Sequence, residues 1–220
     1  MATSVLNSDD YYKLDYRIID EFFPKGMLSI FAGRPQIGKS YFASHLAQKL
    51  SQHGERVLYF CLEPLTIEMK ERLDDSSFPA HVVCIPSISI DEVLCLVNQW
   101  RYDAVVIDYV QLMDFVRYIK CFSRDEELKA IWHILDDLAK DKGIRVIGVS
   151  QVHIERIDDS EEAISESCLE YLDRKFLTKR LKVIHRESYY TEGIETDSIQ
   201  QINLIDYGIG IPPNAYPIKY

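Results

Sequence analysis

The eight residues Gly33-Arg34-Pro35-Gln36-Ile37-Gly38-Lys39-Ser40 constrain this chain more than any other stretch of it. They satisfy the pattern G-x-x-x-x-G-K-[ST] at every fixed position. They also stand between an apolar, strand-like run, Met27–Ala32, and a run with helical spacing, Tyr41–Gln52. The glycines let main-chain N–H groups wrap an anion where a Cβ would clash or forbid the dihedrals. A helix beginning near Gly38 aims its unpaired N–H groups and the positive end of its dipole at that anion. Lys39 then reaches the β- and γ-phosphates of a nucleoside triphosphate, and the Ser40 hydroxyl is suited to ligate Mg²⁺. Gly33 through Tyr41 are accordingly the candidate nucleotide contacts.

The rest of the chain supplies the sheet such a turn requires. Gly54 ends the first helix and Arg56–Leu62 reads as the next strand. Pro64 opens a short helix through Leu73, His81–Ile85 is a third strand, and Ile90–Trp100 is a helix capped by Ser89. Asp103–Asp108 is the most apolar strand, bounded by a charge at each end. Arg124–Lys142 is a long amphipathic helix stopped by Gly143, and Ile144–Val149 is another strand. Strands alternating with helices predict an α/β fold, a mainly parallel twisted sheet with helices on both faces. In the tail, Leu181–His185 and Gln201–Ile205 read as strands of a hairpin or meander around polar Glu187–Ser198. The expectation is one domain over residues 1–220, with a lead-in over 1–24 and a C-terminal antiparallel extension over 181–220.

Composition narrows the setting. Hydrophobic residues form 47% of the 220 positions, enough for a sizeable core. No apolar run approaches the ~20 residues of a membrane span, and Met1–Asp10 has neither the basic start nor the apolar stretch of a secretion signal. The five cysteines contain no Cys-x-x-Cys pair, against a disulfide framework or zinc site. Cys61, Cys84 and Cys95 lie in apolar segments and read as buried thiols, so a reducing cytoplasm is expected. A net charge of −10 argues against indiscriminate binding to DNA, while leaving room for a narrow basic channel.

Asp108 closes the strand Val105-Val106-Ile107 at its C-terminal end, the edge where open parallel sheets bind ligands. A strand ending in Asp is common by itself. Paired with Gly33–Ser40, the preferred reading is a carboxylate that holds the water shell of the Mg²⁺ ligated by Ser40.

Asp108-Tyr109-Val110-Gln111-Leu112-Met113 resembles the D-Y-L-Q-L-M of DnaB-type replicative helicases, superfamily 4 of the RecA-like ATPases. Four further stretches agree in order. Arg34-Pro35 resembles that family's A-R-P-x-x-G-K-[ST], Phe60-Cys61-Leu62-Glu63 its S-L-E-M, and Val149-Ser150-Gln151-Val152 its S-Q-L. His185-Arg186-Glu187 with Tyr189-Tyr190 resembles its Y/H-R-[DE]-x-x-Y. The similarity runs from near Tyr12 to the chain end, the span of the motor domain. It includes nothing of the helical N-terminal domain of primase-binding helicases, and in that respect is RepA-like.

The resemblance implies a RecA-like ATPase domain that takes ATP with Mg²⁺, forms a homo-oligomeric ring (a hexamer in the family), and acts on single-stranded DNA. It gives Glu63 the role of activating the attacking water, Lys39 that of gripping the phosphates, and Gln151 that of sensing the γ-phosphate. The neutral amide of Gln151 is able to donate to a phosphoryl oxygen. Phe115–Arg124 carries Arg117, Lys120 and Arg124 among aromatics, a mixture suited to phosphate contacts and base stacking. It is equally suited to packing under the helix that follows, and both readings stand. Arg174, Lys175, Lys179, Arg180 and Lys182 form a second basic patch, read as a solvated face.

Two departures oppose the motor reading. The family's K-x-R-N-G-P stretch corresponds to Ile205-Asp206-Tyr207-Gly208-Ile209-Gly210-Ile211-Pro212, where no basic residue stands. The segment after Gln151 carries Glu155, Asp158, Asp159, Glu161, Glu162, Glu166 and Glu170 against Arg156, and would repel phosphates. A second expectation therefore stands beside the helicase: a hydrolysis-weak nucleotide switch that contacts another replication or recombination protein through an acidic face.

Overall fold

The computed structural model describes residues 16–33, 39–64, 80–115 and 123–151, together with the backbone of strands at 181–185 and 199–203. Helix α1 (Tyr16–Phe22) leads into β1 (Met27–Gly33), α2 (Lys39–Gln52), β2 (Val57–Cys61) and β3 (His81–Cys84). Then come α3 (Ile90–Gln99), β4 (Ala104–Asp108), a single 3₁₀ turn (Val110–Leu112), α4 (Arg124–Lys142) and β5 (Arg145–Gln151). Strands β6 (Leu181–His185) and β7 (Ile199–Asn203) complete the order. The sheet runs β3-β2-β4-β5-β1-β6-β7, and every pairing in it is parallel.

The tail corrects the expected antiparallel extension. β6 joins the free side of β1 in parallel, and β7 joins β6 in parallel with Leu181 opposite Ile199. A parallel pair needs a crossover of about a dozen residues or more, and residues 186–198, between the two strands in sequence, are long enough for one. Their polarity reads as a hairpin loop in the sequence, but their length fits the crossover. The short helix expected from Pro64 to Leu73 lies outside the described residues.

Alternation along each strand sends side chains to two cores, one on each face. Leu28, Ile30, Leu58, Phe60, Val105, Ile107 and Val146 pack with α3 and α4 through Val93, Val97, Ile131, Trp132 and Leu135. Val57, Tyr59, Cys61, Val106, Ile147 and Val149 pack with α1 and α2 through Ile19, Phe23, Phe42, Leu46 and Leu50. The helices covering the first face begin on capping boxes. Ser89 with Glu92 starts α3, and Ser123 with Glu126 starts α4. Gly143, at φ 62°, ends α4 in the left-handed conformation, with Lys140 and Lys142 complementing the dipole.

Cys61 is buried as expected, but Cys84 and Cys95 are exposed. Cys84 sits on the edge strand β3 and Cys95 on the outer side of α3, positions that an apolar neighbourhood in sequence does not reveal. Within β5, Gly148 faces Trp132, and a Cβ there would fall inside contact distance of the indole ring. At the N-terminal end of the same strand, the fully buried Arg145 takes Glu55 through Nε and Nη2 at 3.0–3.2 Å and Asp20 at 2.7 Å. It also donates to the Phe23 carbonyl and to Tyr16. Burial works against its charge, and the bonds to Glu55 and Asp20 more than offset that.

Two outcomes are expected for purified variants in chemical denaturation. Gly148→Ala is destabilised by about 1–3 kcal/mol, the cost of overpacking against the indole. Glu55→Ala, which leaves the Arg145 guanidinium short of its main partner, loses about 3–5 kcal/mol.

Candidate nucleotide site

Because the strands run parallel, their C-terminal ends share one edge, and the candidate residues collect there. Gly33 ends β1 directly opposite Gln151 at the end of β5. Asp108 ends β4 opposite Cys61 of β2, and Glu63 follows Cys61 two residues later. Lys39 and Ser40 open α2, where the first N–H groups of a helix point out of its end. Arg34, Pro35, Gln36, Ile37 and Gly38, the middle of the turn, lie outside the described residues. So do Arg117 and Lys120.

Two opposite charges meet out of water at this edge. Lys39 is 7% exposed and Asp108 is 1% exposed. Burial lowers the Lys39 ammonium to about 8, while Asp108 and Glu63 pull in the opposite direction. Burial raises the Asp108 carboxyl to about 6, opposed by hydrogen bonding from Tyr59 and Ser40 and by the Lys39 charge; Glu63 raises it further. Near neutral pH both groups remain charged. Tyr59, completely buried on β2, donates to Asp108 Oδ2 at 2.8 Å. Asp108 Oδ1 is buried without a hydrogen-bond partner of full geometry, although the Ser40 hydroxyl is near enough to favour its charge. A buried, ionised oxygen left in that state, beside a hydroxyl, is the donor set a hydrated Mg²⁺ would complete.

Glu63 is half-buried, and burial, followed by the Glu63 charge, raises the pKa of the neighbouring Tyr109 hydroxyl. Each carboxylate of the site thus has a tyrosine beside it, Tyr59 bonded to Asp108 and Tyr109 near Glu63. Tyr59 does not stand out in the sequence. Tyr59 reads as one more apolar member of a buried strand, and only the pairing of β2 with β4 shows that its hydroxyl meets Asp108.

Tyr41 lies half-buried in the first turn of α2, its carbonyl accepting from Ser44 Oγ at 2.8 Å. Arg124, a candidate nucleic-acid contact, is exposed, but its guanidinium is engaged within the chain. It donates to the carbonyls of Gln111 (2.8 Å) and Met113 (2.6 Å) and pairs with Glu127 at 2.8 Å. The segment between Val110 and Met113 is thereby fixed to the start of α4.

No protein-family model matches the sequence. Over 181 residues the chain is 26% identical to a probable replicative DNA helicase of Trieres chinensis, an alignment covering 66% of this chain and 39% of that protein. The chain therefore spans well under half of that relative's length. The fold is similar to that of a separately solved ATPase domain, with a TM-score of 0.50 and 20% identity over 59% of this chain and 58% of the other. A DnaB-like replicative helicase, solved in a study of its interactions with primase, aligns at TM-score 0.49 and 18% identity. That alignment covers 60% of this chain and 40% of the helicase. The similarity to the Trieres chinensis protein agrees with the resemblance to DnaB-type helicases drawn from the five motifs, and the solved ATPase domain shows a similar fold. Among the described residues, no helix is long and apolar enough to cross a membrane.

The site carries a stability cost with a definite pH dependence. The folded Asp108 pKa of about 6 lies above its ordinary 3.8, so folding favours the protonated form. The stabilisation from protonation is complete below pH ~4 and is lost as pH rises through ~6. Asp108→Asn, measured without nucleotide and with metal chelated, is expected to be more stable than the parent at pH 7.5 by about 2–3 kcal/mol. That advantage should vanish at pH 4, as read from urea midpoints at the two pH values.

Proposed function

We propose that this chain, a relative of DnaB-type replicative helicase ATPase domains, is a RecA-like domain that binds and hydrolyses ATP with Mg²⁺. The observation that carries the reading is the joint burial of Lys39 and Asp108 at one sheet edge, with Asp108 Oδ1 unpaired and Ser40 beside it. In this reading Gly33–Tyr41 cradle the triphosphate and Lys39 neutralises the β- and γ-phosphates. Ser40 and Asp108 hold Mg²⁺, which when bound would offset the negative charge of the phosphoryl oxygens. Glu63, with Tyr109 beside it, accepts a proton from the attacking water, and Gln151 donates to the γ-phosphate.

The proposed polymer is single-stranded DNA, engaged by a homo-oligomeric ring. Arg117 and Lys120 are the proposed phosphate contacts; Arg124 is the weakest of the three candidates because its guanidinium already serves Gln111, Met113 and Glu127. The absence of a cation in Ile205–Pro212 favours slow turnover, since an arginine finger contributes about 10³–10⁵ in related chemistry. A slow ATPase acting as a nucleotide switch toward another replication or recombination protein is the second reading.

Nucleotide binding and turnover, with and without single-stranded DNA, test both. Lys39→Ala is expected to weaken ATP binding by at least about tenfold, while Glu63→Gln keeps binding and loses about 10²–10⁴ in turnover. Turnover that rises with DNA supports the motor, and slow turnover indifferent to DNA supports the switch. ATP affinity unchanged by Lys39→Ala would remove the site altogether.

A further inference from the structure

Gln111 belongs to the D-Y-V-Q-L-M stretch, yet nothing in the proposed chemistry uses it. Its surroundings are unusually complete. The ladder between β4 and β5 ends at Ile107 opposite Gly148. Beyond that point the Gln111 carboxamide takes over as a substitute rung. Nε2 donates to the Gln151 carbonyl at 3.1 Å and to Ser150 Oγ at 2.6 Å, and Oε1 accepts the Gln151 main-chain N–H at 3.4 Å. Both main-chain polar groups of Gln151 are thus held by one planar amide, which restrains position and rotation together.

The holder is itself held. Arg124 Nη2 fixes the Gln111 and Met113 carbonyls, and Asp114 pairs with the strand-like segment before α3. There the Asp114 N–H donates to the Ile88 carbonyl at 2.9 Å, and the Ile90 N–H donates to the Asp114 carbonyl at 3.1 Å. The end of β5 is therefore joined through Gln111 to the first turn of α4 on one side and to α3 on the other. Gln151 also stands directly opposite Gly33, the first residue of the phosphate turn.

From this geometry we infer that Gln111 is a positioning residue: it acts through the backbone of Gln151, setting where the Gln151 amide meets the terminal phosphate. The inference rests on the proposed nucleotide site, and it goes beyond that site by assigning a role to a residue that touches no nucleotide. A residue that only stabilised the fold would weaken ATP and ADP binding alike, or neither. A residue that positions Gln151 changes the preference for ATP over ADP.

The test is the ratio of ATP to ADP affinity with Mg²⁺, measured by competition against a fluorescent nucleotide for the parent, Gln111→Ala, Gln151→Ala and the double variant. Gln111→Ala is expected to lower the ratio by about tenfold with ADP affinity unchanged, and to add little when Gln151 is already alanine. If Gln151→Ala collapses the preference while Gln111→Ala leaves it intact, or the two effects simply add, the positioning role is overturned and the nucleotide site stands. If Gln151→Ala leaves the preference intact, the role of Gln151 falls and this inference falls with it. Should Gln111→Ala not fold, Gln111→Glu replaces it. That variant keeps an acceptor for the Gln151 N–H but cannot donate to Ser150 or the Gln151 carbonyl, and the same ratio decides.

Discussion

Everything at the functional edge of this protein depends on keeping an ammonium and a carboxylate charged where water is nearly excluded. Neither group is comfortable there alone, for burial drives Lys39 down to about 8 and Asp108 up to about 6. Each charge offsets part of the other's penalty, and Tyr59 stabilises the ionised carboxylate from inside the core. The pair remains ionised near neutrality by a narrow margin. A polyphosphate and its metal would complete both groups, so the free protein holds a costly arrangement that the proposed ligand would relieve. Replacing Lys39 would leave the buried Asp108 carboxylate without its offsetting charge, a heavier penalty than losing an exposed salt bridge.

Strand β5 sets the spacing within which that pair operates. It lies between β4, which carries Asp108, and β1, which leads to the phosphate turn, so its width and register determine their separation. The strand is secured at both ends by different means. At its N-terminal end Arg145 gathers Glu55, Asp20, Tyr16 and the Phe23 carbonyl, tying the first helix to the sheet. At its C-terminal end Gln111 grips Gln151. Between them Gly148 lets the Trp132 indole lie against the backbone, bringing α4 close to the sheet. The helix whose first turn holds Arg124 is thus packed onto the middle of the strand whose end Gln111 restrains.

How much of this the sequence discloses follows from the range of each interaction. The strand and helix on either side of the phosphate turn, the Ser89 cap and the Gly143 stop are local, and local patterns predict them correctly. Which strand lies beside which is not local, and the roles of Tyr59, Tyr109 and Gln111 depend on it. Tyr59 becomes a partner of Asp108 only when β2 lies against β4. Arg124 reads as a cation available to phosphate because its acceptors, two carbonyls some ten residues earlier, carry no side-chain signal. Cys84 looks buried by its apolar neighbours, whereas its exposure follows from β3 being the last strand on its side. The tail misled for a related reason: polarity suggests a loop but gives no direction to the strand that follows it.

That direction matters for the proposed chemistry. Had β7 run antiparallel, the chain would leave it at the edge occupied by Arg145, far from the phosphates. Running parallel, Asn203 ends β7 at the same edge as Gly33 and Asp108, two strands or about 10 Å along from β1. The segment Ile205–Pro212, which in sequence order matches the stretch where the resembling helicases carry a lysine and an arginine, lies outside the described residues. Here it begins with an isoleucine and an aspartate and contains no cation. For the proposed ATPase, a sequence without cations there favours a site that holds its nucleotide better than it turns it over.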